Sequence, residues 1–155
     1  MSLSTTVLEA APSIRLFRRS LRALEREIEL SVAAETECCG VTVAQCHLLL
    51  ELESRGPSSV GEIADALALD QSTTSRTADA LVKAGLVSRA DDPANRRRQI
   101  LDLSPAGRKK ADLINRRCDA RYESVLGNSD DDERTAMAET VAFLARALRK
   151  LRNEE

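Results

Sequence analysis

Residues 58–103 constrain this chain more than any other stretch, because local signals in them follow one another in the order helix, turn, helix, hairpin. Ser58 or Ser59 can cap a helix N-terminus, and Glu62 stands three residues after Ser59, the spacing of a capping box. Ile63, Ala64, Leu67 and Ala68 recur at helical spacing and predict a short amphipathic helix ending at Leu69. Asp70 can cap a second helix. Its first turn, Gln71 to Arg76, holds no large apolar side chain, and Ala78, Leu81 and Val82 supply an apolar face further on. Gly85 ends it as a C′ glycine does.

The polar first turn carries a functional expectation. A helix that only packed in a core would usually put large apolar residues there. Short hydroxyls, an amide and a guanidinium suit base edges and phosphates instead. Leu86 to Arg89 and Gln99 to Leu103 read as two short strands, with Asp91 to Arg98 as the hairpin loop between them; Pro93 and Asn95 are its turn residues. The loop ends in three consecutive arginines, Arg96, Arg97 and Arg98. A charge run alone would be a solvated face. Directly after a polar-tipped helix, it predicts contact with phosphate or the minor groove. The expected DNA-binding residues are Gln71, Ser72, Thr73, Ser75 and Arg76 in the helix and Arg96, Arg97 and Arg98 in the hairpin.

These residues resemble the winged helix-turn-helix of the MarR family of bacterial transcription regulators. The resemblance rests on Ile63-Ala64 and Leu67, Ser72-Thr73 and Ser75-Arg76, and Gly85-Leu86-Val87. It continues through Asp92 to Arg97 and Leu103-Ser104-Pro105-Ala106-Gly107. Asn95 departs from the pattern, where an aspartate is more usual. The resemblance implies a dimeric, non-enzymatic regulator, a repressor in the expected outcome, acting on a pseudo-palindromic double-stranded operator. It also implies a homodimer built from the first and last helices of both subunits, and small anionic aromatics as one class of effector.

The flanking sequence agrees with that architecture. Ile14, Phe17, Leu21, Leu24, Ile28 and Val32 step by three or four residues, and Met137, Val141, Leu144, Leu148 and Leu151 repeat the habit near the other end. Ser104-Pro105 opens a further helix, with serine as cap and proline in the first turn. The break Gly127-Asn128-Ser129 precedes an acidic run, Asp130 to Glu133, that suits a helix N-terminus. The expected fold is mainly α with a small β wing: an N-terminal dimerisation helix over 1–37, a winged helix-turn-helix lobe over 38–103 with its wing at 86–103, and C-terminal dimerisation helices over 104–155. Aromatic residues make up only 2 % of the chain, so the core must be aliphatic. The net charge of −2 argues weakly against DNA as a partner, but the distribution matters more than the sum. Arg89, Arg96, Arg97, Arg98, Arg108, Lys109 and Lys110 gather near the predicted wing. The absence of an apolar span and of a leader sequence predicts a cytoplasmic protein with no membrane partner.

A regulator also needs an input. Cys38, Cys39 and Cys46 crowd into the break before the second helix, and Cys118 stands apart. Thr42 can cap that helix, placing Cys46 near an N-terminus that favours thiolate. Three thiolates there could take a thiophilic ion: arsenite or antimony, or mercury, cadmium, zinc or copper, with His47 or Cys118 as a less favoured fourth ligand. The alternatives are cysteine oxidation, or buried structural cysteines beside a small aromatic ligand. No cofactor is required. A cysteine nucleophile served by His47 is disfavoured, since neighbours in a helix point in different directions.

Overall fold

The computed structural model describes residues 12–35 and 39–154, without the side chains of residues 12, 32–35, 96 and 97. Among the described residues six helices and three strands run in the order α1 Pro12–Glu35, α2 Val43–Arg55, β1 Ser58–Ser59, α3 Val60–Leu67, α4 Gln71–Lys83, β2 Val87–Asp92, β3 Asn95–Leu103, α5 Pro105–Leu126 and α6 Asp131–Glu154. The chain divides into two compact units, residues 1–111 and 112–155.

Hydrogen bonds between residues three apart decide where most helices begin. Thr42 and Gln45 form a reciprocal capping box at α2, and Ser59 and Glu62 form another at α3. Asp70 caps α4 by accepting from the Thr73 N–H at 2.8 Å. At α5 the Gly107 N–H donates to Ser104 Oγ at 2.9 Å, and at α6 Asp130 and Glu133 cap each other. Gly85, at φ 73°, closes α4 in a Schellman turn: its N–H donates to the Val82 carbonyl, and the Leu86 N–H to the Leu81 carbonyl.

Inside the first unit α2 packs on α3, α4 and β3, and the sheet runs in the order β1-β3-β2. Leu48, Leu49 and Leu52 from α2 meet Ile63 and Ala64 from α3, Ala78 and Leu81 from α4, and Val87, Leu101 and Leu103 from the strands in one aliphatic core. Full burial of each large side chain is worth about 1.5–3 kcal/mol. This core fixes α4 against the hairpin and leaves the first turn of α4 outside.

Three local expectations change. The first helix of the motif stops at Leu67 because Ala68 takes the left-handed conformation, at φ 56°, and the Leu69 N–H returns to the Ala64 carbonyl. Leu67 is only half-buried, and Ala68 and, on α4, Val82 are exposed. The strands also run further than the sequence suggested. Asp92 pairs with Asn95, so the hairpin tip is only Pro93-Ala94, and the three arginines lie on β3. A bulge frees them from the ladder: β2 steps from Asp91 to Asp92 while β3 steps from Gln99 to Asn95, so Arg96, Arg97 and Arg98 have no opposite number.

In the second unit, α6 exposes Met137, Val141, Phe143, Leu148 and Leu151, and α5 exposes Tyr122 and Val125. In the first unit, α1 exposes Ile14, Leu16, Phe17, Leu24, Ile28 and Leu30. Among the described residues no helix is long and apolar enough to cross a membrane.

Candidate nucleic-acid interface

The first turn of α4 is built around one carboxylate. Asp70 accepts from the Ser72 hydroxyl at 2.6 Å, the Thr73 hydroxyl at 2.7 Å and the Thr73 N–H at 2.8 Å. These donors, the Ser72 hydroxyl foremost, hold the Asp70 carboxyl well below the usual carboxylate range. The hydroxyl protons of Ser72 and Thr73 are therefore engaged, and what Ser72 turns outward is lone pairs. Thr73 is committed further, because Arg76 Nη2 donates to its oxygen at 3.3 Å while Arg76 Nε donates to the Ser72 carbonyl at 3.4 Å. Thr74, between these residues, is fully buried and donates to the Asp70 carbonyl at 3.0 Å. Gln71, Ser72 and Arg76 are exposed, while Thr73 and Ser75 are half-buried. The five expected helix residues thus gather on one turn, with Gln71, Ser72 and Arg76 outermost.

The basic residues near the hairpin behave differently from one another. Arg89 pairs with Asp79 on α4 at 2.8 Å, Arg108 with Asp102 at 3.0 Å, and Lys110 donates to the Cys39 carbonyl at 3.1 Å. Arg98 pairs with Glu62 at 2.6 Å, lies 3.8 Å from Asp92 and donates to Ser59 Oγ at 3.2 Å. Arg98, expected from the sequence among the DNA-contacting arginines, is thus already engaged within the protein. The side chains of Arg96 and Arg97 lie outside the described residues. No sequence signal could have found the Arg98 network, because Ser59 and Arg98 are 39 positions apart with no periodicity linking them.

Glu62 is held at about 2, against an ordinary 4.5, first by the hydrogen bond from Arg98 and then by the N–H and hydroxyl of Ser59. A carboxylate with a lowered folded-state pKa contributes stability that is fully present above its unfolded value and is lost as pH falls through the folded one. Acidification from pH 4.5 towards pH 2 should therefore weaken the tie between hairpin and α3. Urea unfolding at about pH 7 and about pH 3 should show a steeper acid loss for the natural chain than for Glu62→Gln, which has no proton to gain there. Equal losses would count against the assignment.

Cys38 lies outside the described residues. Cys39 is half-buried, and Cys46 occupies the first turn of α2, with its N–H on the Thr42 carbonyl at 2.8 Å. His47 is exposed, and Cys118 belongs to the second compact unit. Among the described residues no group of three His, Cys, Asp or Glu side chains is placed to hold a metal ion.

A helix with a polar first turn followed by a bulged basic hairpin is the geometry of a DNA reader, and comparison with known proteins agrees. Residues 41–98 match the model of the MarR family. Over 125 residues, 81 % of this chain and 71 % of the other, it is 31 % identical to the HTH-type transcriptional repressor MdtR of Bacillus subtilis (strain 168). The chain belongs to the MarR family. It is a DNA-binding transcriptional regulator with a winged helix-turn-helix, and not an enzyme. The YusO protein from Bacillus subtilis is 28 % identical with a TM-score of 0.63, covering 90 % of this chain and 99 % of that one. Bordetella bronchiseptica BpsR, whose DNA binding is regulated by 6-hydroxynicotinic acid, is 25 % identical with a TM-score of 0.67, covering 82 % of this chain and 98 % of that one. In this MarR-family chain the β2–β3 hairpin is the wing.

Proposed function

We propose that this regulator is a repressor acting as a homodimer on a pseudo-palindromic operator, with α4 reading base edges and the wing holding the backbone. The observation that carries the reading is the polar start of α4, which exposes Gln71, Ser72 and Arg76 and is braced by Asp70. Gln71, Ser72, Ser75 and Arg76 are the readers, Thr73 braces them, and Arg96 and Arg97 are the phosphate contacts. Residues 38–103 form the reading lobe, while 1–37 and 104–155 join two copies. Support for the dimer comes from the apolar side chains left exposed on α1, α5 and α6, such as Phe17, Val125 and Phe143, at 43 %, 69 % and 61 %. Large apolar side chains exposed in such numbers on each of these helices suit burial against a second copy. Sedimentation of the protein with and without a duplex from its own promoter tests this: a dimer on one duplex is expected, and a monomer bound to half-sites would overturn it.

The input proposed for the dimer is thiol chemistry in the stretch 38–46, through a thiophilic ion on Cys38, Cys39 and Cys46 or through their oxidation. Its support is the clustering of these cysteines in sequence, together with the position of Cys46 at the start of α2. A small aromatic acid is the second candidate, supported by the likeness to BpsR. Fluorescence anisotropy on the operator separates the two. Arsenite, Hg(II), Cd(II), Zn(II), Cu(I) or peroxide should release the natural protein and leave a Cys38→Ser/Cys39→Ser variant bound. Release of both proteins by 6-hydroxynicotinic acid, with no response to the thiol reagents, would assign the input to the aromatic class.

A further inference from the structure

We propose that Arg98 is a positioning residue of the wing, which it holds against the start of α3, and that it makes no contact with DNA. The inference rests on the reading of the wing as a DNA contact. Arg98 touches acceptors on three separate elements: Glu62 on α3 at 2.6 Å, Ser59 Oγ on β1 at 3.2 Å and, at the longer distance of 3.8 Å, Asp92 at the end of β2. Ser59 is locked in turn, since its hydroxyl donates to Glu62 Oε2 at 2.9 Å and its N–H donates to the same oxygen at 2.8 Å.

The position of this cluster gives it a use. The ladder from β1 ends at the pair Ser59–Ile100. Towards the tip the bulge leaves residues 96–98 unpaired, so backbone hydrogen bonding does not set the angle of the wing there. Arg98 carries the tie to the body of the lobe two residues beyond the end of that ladder. Charge argues for the same role. One guanidinium set between two carboxylates has its positive charge offset within the protein. With Nη2 on Glu62 and Ser59 and Nε towards Asp92, any phosphate that reached Arg98 would share a guanidinium already paired with Glu62. Three adjacent arginines that look alike in sequence are thus divided: Arg96 and Arg97 remain for DNA, while Arg98 sets where they are held.

The sign of one substitution decides the matter. Glu62→Gln keeps a residue that can still close the capping box, and removes the negative partner of Arg98. If Arg98 positions the wing, operator affinity by fluorescence anisotropy falls roughly two- to fivefold, the range of a partly exposed ion pair. Arg98→Ala then falls by a similar factor, the double variant falls no further than either single one, and the dependence of log Kd on log salt keeps its slope. If instead Arg98 is a phosphate contact, Glu62→Gln tightens binding and Arg98→Ala flattens that slope by about 0.9. Natural affinity and slope in both variants would also overturn the proposal. Thermal melts establish that both variants are folded at the assay temperature; should Arg98→Ala not be, the direction of the Glu62→Gln change decides alone. Arg97→Ala in the same salt series tests the underlying reading separately: an unchanged slope there removes the wing from the DNA whatever Arg98 does.

Discussion

Gly107→Ala should destabilise this protein by about 1–3 kcal/mol, the range for overpacking a tight contact. The direction is the informative part. Gly107 lies in the first turns of α5, where alanine would ordinarily favour a helix by about 1 kcal/mol over glycine. Here a Cβ would stand 1.9 Å from the Leu86 carbonyl oxygen and 3.0 Å from its carbon. Both are backbone atoms, and neither can swing aside as a side chain could. The Leu86 carbonyl is held by the Ser104 N–H at 3.0 Å, and the Gly85 carbonyl by the Ser104 hydroxyl at 2.7 Å. The exit of α4, the start of β2 and the start of α5 are thus clamped together, and moving Leu86 disturbs all three. For a chain of this size each kcal/mol lowers the melting temperature by roughly 2–4 °C. Urea and thermal unfolding should show the loss, accompanied by weaker operator binding because α4 leaves the core through the same clamp. A variant as stable as the natural chain would overturn the clamp between Leu86 and the start of α5.

The second large effect is expected in recognition. Gln71→Ala should cost about 1–3 kcal/mol on the preferred operator, the value of one good base contact, and much less on unrelated DNA. Arg97→Ala should weaken binding to every sequence alike and reduce the salt slope by about 0.9. Anisotropy titrations of both variants on operator and random duplexes, across a salt series, give the comparison. Two losses equally independent of sequence would erase the division between a reading helix and an anchoring wing. Thr73→Ala should resemble neither, because the Thr73 hydroxyl is spent between Asp70 and Arg76. It should act through the brace under the turn.

Helix starts were legible in the sequence because a cap is a bond between residues three apart: Thr42 with Gln45, Ser59 with Glu62, Asp70 with Thr73, Ser104 with Gly107. The same holds for the end of α4, where Gly85 is the residue that takes a positive φ at least cost. The end of α3 was not legible, since an alanine occupies the left-handed position and signals nothing. Two-residue β1 was missed because it is too short for any alternation to appear. Thr74 reads as one more exposed hydroxyl among Ser72, Thr73 and Ser75, and it is fully buried.

By itself the sequence therefore determined the family, the order of the helices and the hairpin, the polar first turn of α4 and the basic run of the wing. Each is written in spacings of one to four residues, and local hydrogen bonding and helical periodicity turn such spacings directly into structure. Only the tertiary structure decided which charges are spent and which backbones touch. Arg89 is taken by Asp79, Arg98 by Glu62 and Ser59, and Gly107 by the carbonyl of Leu86. Those partners meet because an aliphatic core packs distant segments together. The ion pairs and the close backbone approach follow from that packing and leave no pattern along the chain.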